Sequence, residues 1–177
     1  ERSDICFPMM GLHPGSVGKN YKEDYAKIKA HILSKPNYYK AIGEIGVDLY
    51  WDKSFKDAQM FLFKEQIELA IKLNLPIVIH CRDAFDEVFE VLEDCKHPKL
   101  FGIFHCFTGS LAQAETIIDL GFLLGIGGIV TFKNSDLSQT LKNIPLNNLV
   151  LETDSPYLSP VPKRGKTNEP SYLAYIV

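Results

Sequence analysis

Residues 76–95, PIVIHCRDAFDEVFEVLEDC, contain the pattern that decides the fold. Residues 76–81 are a short apolar run, typical of a strand that is buried on both faces. Residues 84–95 place apolar side chains at helical spacing with acidic side chains between them, which predicts an amphipathic helix. Two polar residues, His80 and Arg82, stand where the strand ends. The stretch therefore reads as one β/α unit with chemistry at the carboxyl end of its strand.

The same pattern recurs along the whole chain. The predicted strands are 5–10, 40–46, 76–81, 101–106, 122–127 and 148–153. The predicted helices between them are 21–34, 55–73, 84–95, 110–120 and 136–143. Alternating strands and helices predict βαβ units and a parallel sheet. The strands are apolar on both faces, including residues 149–151, so we expect helices to cover both sides of the sheet.

Five strand ends carry a polar or glycine-rich signature, and this chooses between the parallel folds. The signatures are GLHPG, GEIGVD, HCRDA, HCFTG and ETDSP. A doubly wound sheet gathers function at one switch point, usually beside a single phosphate loop. A TIM (β/α)₈ barrel draws one or two functional residues from several strand ends. The sequence therefore predicts an α/β fold of the TIM-barrel type.

Composition sets the class of protein. The 177 residues are 46% hydrophobic, enough for the core of one domain spanning 1–177. A formal net charge of −3 argues against a protein that coats nucleic acid through an overall basic surface, but a metal site can supply the positive charge that a nuclease needs. Four scattered cysteines without a CxxC pair favour reduced thiols and a cytoplasmic location. No apolar run reaches the ~20 residues of a membrane span.

Residues two apart in a strand share a face, which groups the polar side chains. This parity pairs His80 with Arg82, Glu152 with Asp154, and Glu44 with Asp48. His105 closes another strand, and His13 follows the first one. Imidazoles mixed with carboxylates are typical ligands of Zn²⁺ and Mn²⁺. A metal also explains how carboxylates at the end of an apolar strand stay ionised.

Each of these residues also has an ordinary structural interpretation. His105 could be a hydrogen-bonded core histidine, and Glu44 could pair with a lysine. Asp154 could begin a turn before Pro156, and Arg82 could form a surface ion pair. The basic loop 162–170 could be merely solvated or could lie near a phosphate. Four such residues at strand ends of one chain favour a metal site.

Six linked motifs resemble those of the TatD-like metal-dependent deoxyribonucleases of the amidohydrolase superfamily. They are GLHP, GEIGVDLYW, VIHCRDAF, FHCFTGS, LETDSPYLSPVP and RGKTNEP, and they extend over essentially the whole chain. The resemblance implies a TIM barrel, a divalent metal centre and hydrolysis of phosphodiester bonds in DNA. It also implies which side chains bind metal: Glu44, His80, His105 and Asp154.

The resemblance further implies roles in a two-metal mechanism. Two divalent ions, Zn²⁺, Mn²⁺ or Mg²⁺, would activate water and clamp the phosphoryl oxygens. Glu44 would bridge them, and Asp154 would be both ligand and general base. The residues expected on the substrate side of the centre are His13, Arg82 and Arg164, with Glu152 in support. The expected partner is DNA, as single strands or 3′ ends, bound by a monomer without a membrane.

One departure from the family pattern bears on activity. The family's first strand carries an HxH pair, and no HxH occurs in these residues. We therefore expect about six of eight barrel strands here, in a domain incomplete at both ends. Two alternatives stay open: a superfamily hydrolase acting on C–N or other ester bonds, and a catalytically incompetent fragment. Tyr50 and Trp51 could stack on bases or pack in an outer shell.

Overall fold

The computed structural model describes residues 5–177. Six parallel strands alternate with five α-helices, as the sequence predicts. The strands are β1 Met9–Met10, β2 Ala41–Asp48, β3 Ile77–Arg82, β4 Gly102–Phe104, β5 Leu123–Ile126 and β6 Leu149–Leu151. The helices are α1 Tyr21–Leu33, α2 Lys56–Leu73, α3 Phe85–Asp94, α4 Leu111–Asp119 and α5 Leu137–Leu141. Short 3₁₀ turns lie at Pro14–Ser16, Gly128–Thr131, Leu146–Asn148 and Pro170–Tyr175.

The chain divides into two compact units, Glu1–Gly102 and Ile103–Val177. In the first unit β1 pairs with β2, and β2 with β3, all in parallel. Helix α2 packs against β2, and its long apolar face is buried over Leu62, Phe63 and Ile67. Because β2 and β3 are parallel, their carboxyl ends lie at the same edge of the sheet, and so do the residues at those ends.

In the second unit β4 pairs with β5, and β5 with β6, again in parallel and in chain order. Helix α4 begins with a capping box: Ser110 Oγ accepts from Gln113 N, and Gln113 Oε1 accepts from Ser110 N. Such a box satisfies backbone donors that the first turn of a helix leaves unpaired. Phe104 and Phe122 meet edge to face, with ring centroids 5.7 Å apart, in the buried interior.

Two expectations about strands are wrong. The predicted strand 5–10 is reduced to Met9–Met10, because Pro8 has no N–H to donate to a ladder. Its carbonyl instead accepts from Lys40 N at 2.9 Å. The expectation that residues 149–151 avoid water also fails, since Leu151 is 47% exposed. Among the described residues β6 pairs with β5 alone, so it is an edge strand there.

The cysteines form no disulfide among the described residues. All four cysteines are free thiols. Burial raises the pKa of the Cys81 thiol to about 12, so this neighbour of His80 is a neutral packing group at neutral pH. Among residues 5–177, no helix combines the length and the apolar character that crossing a lipid bilayer requires.

Candidate metal centre

His80, near the end of β3, lies between two carboxylates of β2. Its Nε2 lies 2.9 Å from Asp48 Oδ2, and its Nδ1 lies 4.0 Å from Glu44 Oε2. The short contact to Asp48 places the ring proton on Nε2, because an ionised carboxylate can only accept. The lone pair is then on Nδ1, on the side of Glu44. A histidine that donates one N–H to a carboxylate and keeps its other nitrogen as a ligand is the common arrangement at protein metal sites.

The backbone around Asp48 is fixed by a buried glutamine. Gln59 of α2 is 4% exposed; its Oε1 accepts from Asp48 N at 2.8 Å, and its Nε2 donates to Asp48 O at 3.1 Å. Asp48 Oδ1 also accepts from Tyr50 N at 3.0 Å. With backbone and carboxylate both held, Asp48 can orient the His80 ring. Parity grouped Asp48 with Glu44, but the part played by Gln59 has no signal in the sequence.

His13 lies beside the same carboxylate. Its Nε2 is 3.8 Å from Glu44 Oε2, and its ring centroid is 4.5 Å from that of His80. Its Nδ1 accepts a hydrogen bond from Gly15 N at 3.0 Å, inside the turn that Pro14 begins. A neutral imidazole with Nδ1 accepting carries its proton on Nε2. The structure therefore presents His13 Nε2 as a hydrogen-bond donor towards the site.

The chemistry of this group suits a divalent ion. One ligand atom each from His13, Glu44 and His80 lies within 4.8 Å of the other two. Proximity alone admits His13 as a third ligand, but the hydrogen bond from Gly15 N favours its role as a donor. Glu44 and His80 together provide the mixed oxygen and nitrogen donors that Zn²⁺ and Mn²⁺ bind.

In the second unit, His105 and Glu152 lie together at the ends of β4 and β6. Glu152 Oε2 is 3.5 Å from His105 Nδ1, and Glu152 Oε1 accepts from Cys106 N. The adjacent carboxylate favours a proton on Nδ1 and a lone pair on Nε2, the state of a ligand. Gly125 of β5 makes the room, because a Cβ there would meet Glu152 Cδ and His105 Cα, each at 3.1 Å. Glu152 thus contacts both His105 and the backbone of Cys106, and its support of a metal centre stays a prediction.

Asp154 follows β6 in a loop that is held by hydrogen bonds from a buried asparagine. Its φ of 55° is left-handed, and β6 has already ended at Leu151. The expectation that Glu152 and Asp154 share a face by strand parity is therefore wrong, since parity requires an extended backbone. Asn168, 3% exposed, donates from Nδ2 to Thr153 O and Tyr157 O, both at 2.6 Å. This residue holds the Asp154 loop, and sequence reasoning missed it.

The two arginines expected to contact substrate each lie over an aromatic ring. The Arg82 guanidinium carbon is 3.7 Å from the Tyr50 ring centroid, and that of Arg164 is 4.0 Å from the Phe132 centroid. Arg164 Nη1 also donates to Ser159 O at 3.4 Å. Both side chains are exposed. Stacking occupies the face of a guanidinium and leaves its N–H groups, which lie in the plane, directed outward.

Several known proteins are similar to this chain in sequence. The TatD related DNase family model matches residues 1–177. The "Uncharacterized metal-dependent hydrolase YabD" of Bacillus subtilis (strain 168) is 45% identical over 177 residues, covering 99% of this chain and 69% of that protein. The "Uncharacterized metal-dependent hydrolase BU355" of Buchnera aphidicola subsp. Acyrthosiphon pisum (strain APS) is 47% identical over 137 residues, covering 77% of this chain and 52% of that protein.

A solved structure agrees with the sequence relatives. The crystal structure of YJJV, a TatD homologue from Escherichia coli K12, superposes with a TM-score of 0.88 at 32% identity, covering 96% of this chain and 66% of that one. The chain thus spans between about half and 69% of the length of these relatives. The expected α/β fold of the TIM-barrel type is confirmed. The chain belongs to the TatD related DNase family of metal-dependent hydrolases.

Proposed function

We propose that the protein hydrolyses phosphodiester bonds in DNA at a centre of two divalent metal ions. The ligands in this proposal are Glu44, His80, His105 and Asp154. The observation that carries it is the position of His80, whose Nε2 meets Asp48 at 2.9 Å and whose Nδ1 is on the side of Glu44. Membership of a metal-dependent hydrolase family supports it. The names of the relatives do not extend to a substrate, so cleavage of DNA is our proposal.

The chain's own residues account for the handling of protons and charge. Bound divalent metal supplies water of lowered pKa and positive charge against the phosphoryl oxygens. Asp154 accepts the proton of the attacking water as general base. His13 donates from Nε2 to a phosphoryl oxygen, in keeping with the proton that its contact to Gly15 places there. Arg82 and Arg164 donate to phosphate oxygens as negative charge develops.

The arginines favour phosphate over other substrates of the superfamily. Their guanidinium faces rest on Tyr50 and Phe132, so the remaining N–H edges match pairs of phosphate oxygens. An amide or lactone carries no such anionic oxygens before reaction. Hydrolysis of C–N or other ester bonds is therefore the second candidate. We further propose a cytoplasmic location, which four free thiols support. We also propose that the protein is a monomer that acts on single strands or 3′ ends.

A substrate panel tests the proposal. Metal-loaded protein is assayed on single-stranded DNA, on bis(p-nitrophenyl) phosphate, and on a set of lactones and N-acyl amino acids. We expect hydrolysis of both phosphodiesters, its loss with EDTA, and its recovery with Zn²⁺ or Mn²⁺. Glu44→Gln, which keeps the side-chain size but removes the charge, serves as the matched inactive control. Hydrolysis confined to lactones or amides, or none of any substrate, contradicts the proposal.

A further inference from the structure

Trp51 presents an uncovered aromatic surface beside the candidate metal centre. It is 81% exposed, and its neighbour Tyr50 is 48% exposed. Both lie within three residues of the end of β2, the strand that carries Glu44 and Asp48. The Tyr50 and Trp51 rings meet at 90° with centroids 4.6 Å apart, so Tyr50 braces the indole edge to face. Exposure of this extent argues against an outer-shell packing role for Trp51.

A fixed positive charge accompanies the indole. The Arg82 guanidinium carbon is 3.7 Å from the Tyr50 centroid and 5.9 Å from the Trp51 centroid. Arg82 closes β3, two residues after His80. Tyr50 therefore holds a phosphate-matching cation and a large aromatic side chain together. A ligand that complements both has an anionic group next to a flat ring, which is the repeating chemistry of a nucleic acid strand.

The inner side of the loop is accessible as well. A cavity of about 160 Å³ lies between the turn at Pro14 and Gly15 and the segment bearing Trp51 and Phe55. Its volume is about five times the ~30 Å³ of a water molecule, so the loop does not pack solidly against that turn. Asp48 and Asp52 also line this cavity. Because these carboxylates repel phosphate, we expect the backbone of a nucleic acid strand to lie on the other side of the loop, near Arg82.

We propose that Trp51 is the stacking position for a nucleobase of single-stranded DNA, with the adjoining phosphate on Arg82 and Tyr50 positioning both. This inference rests on the proposed function and names how its substrate is bound. A single strand is required, because the bases of a duplex are stacked on one another. Stacking on an indole tolerates any base, so the subsite contributes affinity with little sequence preference.

The test uses the fluorescence of Trp51, the one tryptophan among these 177 residues. Metal-loaded protein is titrated with a phosphorothioate (dT)₁₀, which resists cleavage, and with an abasic phosphorothioate of the same length. We expect saturable quenching by (dT)₁₀ and none by the abasic strand. Affinities of wild type and variants are measured by the fluorescence anisotropy of 5′-fluorescein-labelled strands, because Trp51→Ala removes the tryptophan. Trp51→Ala should bind (dT)₁₀ about 5- to 100-fold more weakly, the effect of losing one stacked base. Its affinity for the abasic strand should match that of the wild-type protein.

Tyr38→Ala is the matched control, since Tyr38 is 45% exposed but precedes β2, at the opposite end of that strand. It should bind both strands as the wild-type protein does. Equal quenching by both strands, or a Trp51→Ala affinity for (dT)₁₀ equal to that of wild type, overturns the inference. Hydrolysis of phosphodiesters by the wild-type protein is scored separately. Hydrolysis without base-dependent quenching sinks the inference alone, whereas quenching without hydrolysis sinks the proposed function and leaves the stacking subsite.

Discussion

At the scale of single residues, proton placement on two histidines decides what each can do. His80 donates from Nε2 to Asp48, whereas His13 accepts at Nδ1 from Gly15 N. The two rings lie 4.5 Å apart and face the same glutamate. Their partners nevertheless leave His80 with a lone pair on the side of Glu44 and His13 with a proton there. We therefore propose that these neighbouring imidazoles have different roles, His80 as a metal ligand and His13 as a hydrogen-bond donor.

Asp48→Asn tests the orienting contact of His80. An amide at this position can donate to Nε2 and so drive the proton to Nδ1, where it opposes metal binding. We expect metal affinity to fall about 10- to 100-fold, the usual effect of losing such an outer partner. Calorimetric titration with Zn²⁺ measures it. Asp52→Asn is the matched control, because Asp52 lies in the loop that follows Asp48 but accepts from Ser54. Equal affinity losses in both variants would contradict an orienting role for Asp48.

The variant His13→Ala distinguishes a role of His13 as a hydrogen-bond donor from a role as a metal ligand. If His13 donates to phosphate, the variant keeps Zn²⁺ affinity within about threefold of wild type, a difference well under 1.4 kcal/mol. His80→Ala, the comparison, should lose far more. In steady-state assays on a phosphodiester, kcat/KM of His13→Ala should fall, since the donor acts as charge develops. A drop in metal affinity as large as that of His80→Ala would assign His13 as a ligand instead.

At the scale of elements, β2 and β3 approach so closely that one position excludes any side chain. Gly46 has a φ of 140°, and a Cβ there would lie 2.0 Å from His80 O. The contact is with backbone, so no rotamer change relieves it. The second glycine of GEIG, Gly46, is thus required by the close spacing of β2 and β3, the strands that bear Glu44 and His80.

Gly46→Ala should destabilise the fold by about 2–6 kcal/mol, from overpacking together with backbone strain. Urea unfolding monitored by circular dichroism measures the change. Gly18→Ala is the control, because a Cβ at Gly18 would meet nothing within 4 Å, and we expect an effect within about 1 kcal/mol. Equal stability of the two variants would show that β2 and β3 can separate without cost.

An ion pair between helices gives a pH signature. Lys56 Nζ of α2 lies 2.7 Å from Glu87 Oε1 of α3, and the hydrogen bond lowers the pKa of Glu87. A carboxyl whose pKa is depressed by folding stabilises the protein above its unfolded pKa, and that stability is lost as pH falls through the folded value. Glu87→Gln should therefore unfold more easily than wild type at pH 7.

The same difference in free energy of unfolding should shrink below about pH 4.3, the ordinary value for glutamate. Urea unfolding at a series of pH values measures it. Asp94→Asn is the control, since the Lys64–Asp94 pair at 3.3 Å is more exposed and should contribute little. A Glu87→Gln difference that stays constant from pH 7 to pH 3 would contradict the ion-pair account.

The elements were predictable because hydrophobic period and strand-end residues are local signals. The bounds of β3, predicted at 76–81 and found at Ile77–Arg82, depend on one apolar run. The failures are places where the backbone leaves the regular pattern. Pro8 shortens β1, and the left-handed Asp154 removes the parity assumed for Glu152. The roles of buried amide side chains such as Gln59 and Asn168 were not predicted, because each amide donates to a backbone carbonyl that is distant in sequence.

At the scale of the whole molecule, charge and family agree on the kind of chemistry. A chain with a net charge of −3 does not attract DNA by overall charge, so the proposed substrate requires local positive charge. In the proposed function that charge comes from Arg82 and Arg164, each stacked on an aromatic ring, and from bound metal. Residues 1–177 belong to a family of metal-dependent hydrolases, which supports the proposed function. The proposed phosphodiesterase activity requires that metal at Glu44 and His80.

Metal content per chain tests that requirement most directly. Wild-type protein and Glu44→Ala are loaded with Zn²⁺, dialysed against metal-free buffer and measured by elemental analysis. We expect close to two equivalents in the wild-type protein and a sharp fall in Glu44→Ala, with circular dichroism unchanged. Wild-type protein that retains no metal, or a Glu44→Ala variant that retains as much as wild type, would contradict the account.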